Sequence, residues 1–357
     1  MLIDYGSRDA HFINAVKEVR HGLLKAAGVS QDQGWECVIM QGSGTFGVES
    51  MIGTSIPREG AKLLVCINGA YGHRALKIAK TLGIPSSAIE FTEKEAVNAE
   101  AVAKAVEADP DITHVITIHH ETTTGVVNNL KAIGSAVKSV RKDAVFLVDS
   151  MSGFGAIPVD LEGAKVDYLV SSSNKNIEGV PGFSFALARR SHFETTEGNA
   201  RSVALDLYDQ WKGLEASGQF RFTPPTHSML AFRQALAEFE AEGGVKGREA
   251  RYRRNFEVLR DGMKAMGFEL YLPEDVQSCI ISTFLFPDDP NFNFKRFYDE
   301  LSKRSYVIYP GKLTKADCFR IGSIGRLFEH DMKGLLLAIR EVLSEMGVKL
   351  PVKQIKE

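Results

Sequence analysis

Cysteine is scarce in this chain: four in 357 residues (Cys37, Cys66, Cys279 and Cys318), with no C-x-x-C pair. That excludes a disulfide framework and the usual zinc and redox spacings. Cys37, Cys66 and Cys279 stand in apolar, strand-like runs ("ECVIM", "LLVCI", "CIISTF"), which reads as buried free thiols in a reducing cytoplasm. The nine histidines show no metal-ligand spacing; His119 and His120 are adjacent, so on a strand they face opposite sides, and no metal is expected. Charge of one sign is lacking too. A formal net charge of -2 gives no field for nucleic acid or an anionic membrane surface. Apolar runs are strand-sized, far short of a membrane span. The opening "MLIDYGSRDAHF" has the pattern of neither a signal nor a transit peptide. There is no internal repeat, no low-complexity linker and no G-x-x-x-x-G-K-[ST] phosphate loop, and no G-x-G-x-x-G fingerprint is expected.

What the chain does have is alternation. Short β-rich runs ("ECVIM", "KLLVCI", "HVITIH", "VFLVD", "DYLVS", "FSFALA") alternate with helical patterns such as "ALKIAKTL" and residues 97–108 and 130–140. Continuous apolar strands between helices predict a largely parallel α/β sheet covered on both faces. Such sheets bind ligands at the carboxyl ends of their strands. From about residue 203 to 267 the pattern is long and helical, with Gly243, Gly244 and Gly267 as stops. Beyond it, "CIISTFLF", "SYVIYP" and "CFRIG" read as strands and "DMKGLLLAIREVLSEMG" as an amphipathic helix, a smaller α+β domain. The tail "KLPVKQIKE" reads as a solvated end.

The unusual residues fall at the predicted strand ends. After "CVIM" comes "QGSGTFG", a small glycine-rich loop before a helix, which makes an anion cradle of free N–H groups or a tight capped turn. Ser43 and Thr45 add hydroxyls. After "LLVCI" comes "NGAYGHR", where Tyr71 either covers a flat ligand or packs on the surface. After "HVITIHH" comes "ETTTG", three hydroxyls in a polar turn. After "VFLV" stands Asp149. A carboxylate ending an apolar strand is costly unless a ligand cation or a helix N-cap role satisfies it. After "DYLVSSSN" stands Lys175, in a loop of small residues. A phosphate cradle, a ring, a buried carboxylate and a lysine together point to pyridoxal 5′-phosphate: the lysine for the Schiff base, the aspartate for the pyridine nitrogen. No single motif is specific; their order and joint presence are.

Through "QGSGTFGVE", "NGAYGHR", "HHETTTG", "VDSMSGFG", "SSSNKNIEGVPGF", "LDLYDQW", "RFTPPTH" and "YPGKLTKADCFRIGSIG" the chain resembles the class V branch of the fold-type I aminotransferases along nearly its whole length. "VPGF", "RFTPPTH" and "DCFRIGSIG" resemble the members that transfer the amino group of 2-aminoethylphosphonate to pyruvate by a ping-pong mechanism. The resemblance implies a large cofactor-binding α/β domain over residues 1–250, its mostly parallel mixed seven-stranded sheet flanked by helices, and a small α+β domain over 251–357. It implies that Lys175 carries pyridoxal phosphate and shuttles the proton, Asp149 binds the pyridine nitrogen and Tyr71 stacks on the ring. Ser43, Gly44 and Thr45 would hold the phosphate, and Thr122 would reach the ring oxygen. Met151 and Asn174 would line the pocket. Thr223 would reach the phosphate of a neighbouring subunit, making a cytoplasmic homodimer with shared sites. Arg320 would anchor the substrate anion, a role its fork suits, with a structural ion pair as the alternative and Arg221 as a weaker second cation.

Members of that family usually begin with roughly twenty more residues, whose T-P-G-P-like turn lines the substrate site. This chain opens with a segment resembling the part after that turn, so altered substrate closure is expected. Competing readings are an alanine– or serine–glyoxylate type transaminase, another amine donor on the same scaffold, or a non-catalytic paralogue. A cysteine desulfurase would need Cys318 on a mobile loop, and "CFRIG" reads as a strand. A nucleotide-binding module is the weakest reading.

Overall fold

The computed structural model describes residues 4–311 and 316–354. Residues 312–315 of the "YPGKLTKADCFRIG" motif and the three residues at each terminus lie outside the described part. The described residues form two compact units. One comprises the chain up to Phe91, Val97–His120 and Asn128–Arg248; the other comprises Thr92–Ala96, Glu121–Val127 and the chain from Glu249 onward.

In the first unit seven strands make one sheet, in the order Trp35–Gln41, Phe183–Arg189, Tyr168–Ser172, Val145–Asp149, Ile112–Ile118, Lys62–Ile67, Ser86–Glu90. Phe183–Arg189 alone runs against its neighbours, so the other strands all end on one edge. The central strands are buried without interruption because helices cover both faces, which is why they read as continuous apolar runs rather than as alternation. Ser86–Glu90, at the margin, is polar and part-exposed, as suits an edge strand.

The helices follow from their caps and stripes. Ala10–Ala26 is capped by Asp9, whose carboxylate accepts from His11 N at 2.8 Å, and it buries Phe12, Val16, Val19 and Leu23 at helical spacing. Asn98, Asn129 and Asp206 cap three more helices in the same way. The long helical stretch after residue 203 is three helices, Leu207–Ser217, Thr226–Ala241 and Gly244–Ala265. They break at Gly218 and Gly243, both in left-handed conformation; Gly244 opens a helix rather than ending one.

The second unit holds a three-stranded antiparallel sheet, Ile281–Leu285, Cys318–Gly322 and Tyr309–Pro310, with helices Phe294–Lys303 and Glu329–Met346. Its core centres on Phe319, whose ring lies 5.4–6.2 Å from those of Phe268, Phe284, Phe286, Phe294 and Phe297. Two expectations need correction. "SYVIYP" contributes only Tyr309–Pro310 to the sheet, because Ser305 turns at positive φ and Pro310 has no N–H to give a ladder. The tail is no solvated end up to residue 354: Val352 is buried and its N–H donates to Met266 O at 2.8 Å.

Gly134, in the helix Leu130–Val140, shows how tightly that layer packs. A Cβ there would collide with the backbone carbonyl oxygen of Ala164. Alanine would gain about 1 kcal/mol of helix propensity, but overpacking against an immovable backbone costs about 1–3 kcal/mol. Gly134→Ala is therefore expected to lower the midpoint of urea unfolding. A raised midpoint would contradict this packing.

Candidate active site

The first cluster grows from the end of Trp35–Gln41. Gly42 turns the chain at φ +119°, Ser43 stands at the N-cap, and the helix Gly44–Ser55 begins. Contrary to the expectation that the loop lacks it, Gly42, Gly44 and Gly47 do stand at G-x-G-x-x-G spacing, and each glycine has a reason. The turn needs the first. A Cβ at Gly44 would strike the Met151 sulfur. A Cβ at Gly47 would lie 2.6 Å from Ser184 Oγ and 2.9 Å from Val170 Cγ2, so this glycine seats the helix on the sheet. The acidic residue that would hold a ribose about 20 residues further on is missing; Ile67-Asn68-Gly69 stands there.

Ser43 is exposed and its side chain makes no capping hydrogen bond. Thr45 Oγ1 accepts from Arg74 Nη1 at 3.3 Å. The Arg74 guanidinium lies 4.7 Å over the ring of half-buried Tyr71, in the first turn of Ala70–Thr81. Two helix N-termini and an arginine thus face this edge, an electropositive setting that suits a phosphate. Sequence reasoning missed Arg74.

Asp149 ends its strand only 5% exposed. Its Oδ1 accepts from Met151 N at 2.9 Å and its carbonyl accepts from His119 N at 2.8 Å. Turns follow rather than a helix, so the N-cap alternative fails. The adjacent strand Tyr168–Ser172, paired through Asp149 and Val170, leads into the loop of Lys175. Lys175 is half-buried there. Its carbonyl accepts from Glu178 N at 2.8 Å, and Gly179 N donates to Ser173 O at 3.0 Å. Asn176 Nδ2 donates to Ser152 O at 2.8 Å and Phe154 O at 3.0 Å, tying the Lys175 loop to the Asp149 turn. Exposed Asn174 accepts from Ser172 Oγ at 3.1 Å. The small residues of the loop answer partly to packing: a Cβ at Gly179 would lie 2.5 Å from Phe232 Cδ2.

Between these elements stand neutral histidines. His119 Nδ1 is 2.8 Å from Ser150 Oγ and His120 Nδ1 is 3.0 Å from Ser152 Oγ. Ser152 Oγ donates to the His120 carbonyl at 3.1 Å, so the network assigns the His120 proton to Nδ1. Nε2 is left as a buried acceptor without a hydrogen-bond partner among the described residues. Burial pushes the His119 ring down to about 4 and is the chief cause that pushes the His120 ring down to about 3. Among the described residues no group of three or more His, Cys, Asp or Glu could hold a metal ion, and all four cysteines are buried and free. No described helix is long and apolar enough to cross a membrane.

The second unit brings Thr122 and Arg320 together. Arg320, paired on its strand with Thr283 and Tyr309, donates from Nη1 to Thr122 O at 2.7 Å and from Nε to Pro310 O at 3.3 Å. Thr283 Oγ1, on the same face, donates to Thr124 O at 2.7 Å. Thr223 is exposed, just before the helix Thr226–Ala241 of the first unit. Arg221 pairs with Asp209 at 3.1 Å and donates to the carbonyls of Val203 and Asp206, so it is occupied structurally.

A lysine and a buried carboxylate thus follow neighbouring strands, and a glycine-opened helix N-terminus abuts the turn after the carboxylate. A model of the class-V aminotransferases matches residues 6–290, and the chain belongs to that family. A relative from Syntrophobacter fumaroxidans named 2-aminoethylphosphonate–pyruvate transaminase is 48% identical, over 97% of this chain and 92% of its own length. A protein of the same name from Rhizobium meliloti is 46% identical, over 98% of this chain and 90% of its own. In fold, the chain superposes on pyridoxamine–pyruvate aminotransferase from Mesorhizobium loti with a TM-score of 0.87 at 24% identity, covering 98% of this chain and 88% of that one. The mostly parallel mixed α/β sheet expected from the motifs is the one found.

The buried rings set an acid limit to stability. His114, bonded to Ser55 O at 3.1 Å, is likewise pushed down to about 3, chiefly by burial. The unfolded chain binds these protons and the folded one does not, so stability is full above the ordinary histidine range and is lost as pH falls through and below it. Each ring contributes up to about 1.4 kcal/mol per pH unit below about 6.5. His120→Asn should flatten the slope of unfolding free energy between pH 6 and 5 by about that amount. An unchanged slope would contradict a neutral buried imidazole.

Proposed function

We propose that this chain is a pyridoxal 5′-phosphate-dependent transaminase that moves the amino group of 2-aminoethylphosphonate to pyruvate, giving phosphonoacetaldehyde and L-alanine. The near-half identity, over nearly full length, with relatives of that name carries the reading. The residues present fit the cofactor. Gly44 leaves the backbone of a helix N-terminus bare, Ser43 has a hydroxyl not used in capping, and Asp149 and Lys175 supply the carboxylate and the amine. When bound, pyridoxal phosphate supplies an electron sink for the carbon that loses its proton.

The chain's own residues do the rest. Ser43, Gly44 and Thr45 hold the phosphate, with Arg74 reinforcing Thr45. Tyr71 would pack against the cofactor ring. Asp149, fixed by Met151 N, keeps the proton on the ring nitrogen. Lys175 would hold the cofactor through its amine and would carry the proton that the substrate carbon loses. Thr122 would donate to the cofactor's ring oxygen, and Met151 and Asn174 would line the pocket. Arg320, oriented by two carbonyls, presents its fork to the carboxylate or phosphonate of the substrate. Thr223 serves a second copy of the chain in a homodimer with shared sites. Exposed Phe222 beside it, with exposed Phe46 and Val180 in the cradle and the Lys175 loop, supports such a partner. Buried free thiols fit a cytoplasmic setting.

A steady-state assay of alanine formed from pyruvate tests the reading across donors. 2-Aminoethylphosphonate should be the fastest donor; a faster rate with serine would replace the substrate and keep the fold. Lys175→Ala should lose about 10²–10⁴ in rate, the usual worth of a positioned proton carrier. Arg320→Lys should raise KM for pyruvate by about tenfold or more, since an ammonium cannot replace the fork. An unchanged KM would remove Arg320 from the substrate site.

A further inference from the structure

Arg248 is the last residue of the first unit and only 2% exposed. Nothing in its local sequence, "VKGREARYRR", marks it out from the other charges around it. Its Nε donates to Glu242 Oε2 at 2.9 Å, and its guanidinium lies 5.3 Å over the Phe239 ring. Its Nη1 lies 3.3 Å from Glu178 Oε1 and donates to the carbonyl of Asn176. Asn176 and Glu178 are the residues that follow and close the turn of Lys175. Glu178 takes positive φ, 62°, a conformation that a residue with a side chain adopts only when its surroundings enforce it. Its N–H donates back to the Lys175 carbonyl. On the other side, Asn176 Nδ2 grips the two carbonyls of the Asp149 turn. Phe239 and Phe232, both on the helix Thr226–Ala241, already give this region an apolar core. A buried cation is costly to keep there unless its hydrogen bonds fix something that packing cannot.

We infer that Arg248 is a positioning residue for Lys175: by holding the Asn176 carbonyl and the Glu178 carboxylate it locks the turn that sets where the lysine amine lies. The inference rests on the proposed role of Lys175. The lock itself is a property of the chain alone. An arginine suits it because one planar fork reaches three acceptors; a lysine keeps the charge but not the reach.

The test uses full-length protein and three variants. Arg248→Lys keeps the charge and Asn176→Ala removes the opposite tie. Lys138→Met, which breaks an ion pair with Asp167 at the amino ends of the strands, is the control. In the cofactor-free chain, hydrogen exchange at the Glu178 and Gly179 amides should quicken by about tenfold in Arg248→Lys and Asn176→Ala, as expected for local opening. The amides of Val145–Asp149 should keep their protection. In the cofactor-loaded protein, kcat should fall by about ten- to a hundredfold with KM for 2-aminoethylphosphonate nearly unchanged, because misplacement of the amine harms the proton step more than binding. The visible band of the Lys175-bound cofactor should also titrate at a shifted pH. Lys138→Met should lower Tm and leave all three alone. Wild-type exchange at these amides in both variants, or a kcat loss no larger than the control's, would overturn the inference. Quickened exchange in both variants, together with a wild-type chain that forms no visible band, would uphold the lock and overturn the cofactor role of Lys175 instead.

Discussion

The two hydrogen bonds from Asn176 Nδ2 to the carbonyls of Ser152 and Phe154 join two strand ends that the sheet alone only brings near. One strand delivers Asp149 and the other leads to Lys175. A parallel pairing fixes the register of the strands, but the loops beyond them are free to diverge. Side chain to backbone bonds of this kind remove that freedom. With Met151 N on Asp149 Oδ1 and Glu178 N on the Lys175 carbonyl, each functional group is held by its own turn and each turn by the other. The cradle joins the same assembly through Gly44, whose bare backbone abuts Met151.

The electrostatics follow from burial. A carboxylate at the end of a buried strand is costly to keep unless cations or N–H groups face it. The His119 and His120 rings do not supply that charge: burial keeps them neutral, down to about 4 and about 3. Ser150 and Ser152 fix how those rings face. The positive groups of this edge are therefore Lys175, Arg74 and two helix N-termini, with no imidazolium among them.

Much of this was legible in the sequence because it is local. An apolar run that stops on Asp149, or passes through serines to Lys175, is visible as a break in pattern. So is a glycine-rich loop between a strand and a helix. The continuous burial of the central strands followed from their composition. What stayed hidden depends on residues distant in sequence. Arg248 acts on a carbonyl 72 residues away and leaves no periodic trace. Gly179 reads only as one more small residue of the Lys175 loop, yet it makes room for Phe232 of a helix far along the chain. Asp149 left a choice between a helix cap and a ligand, which only the absence of a following helix could settle. "SYVIYP" had strand composition but a positive-φ serine and a terminal proline, and local backbone geometry overruled propensity.

The central claim is that Lys175 and Asp149 hold pyridoxal phosphate for amino transfer from 2-aminoethylphosphonate. It is tested most directly by the visible spectrum of the cofactor-loaded protein in half-reactions. The account predicts a band at about 400–430 nm that disappears on adding 2-aminoethylphosphonate alone and returns on adding pyruvate. A band that persists with this amine and is bleached by serine would contradict it.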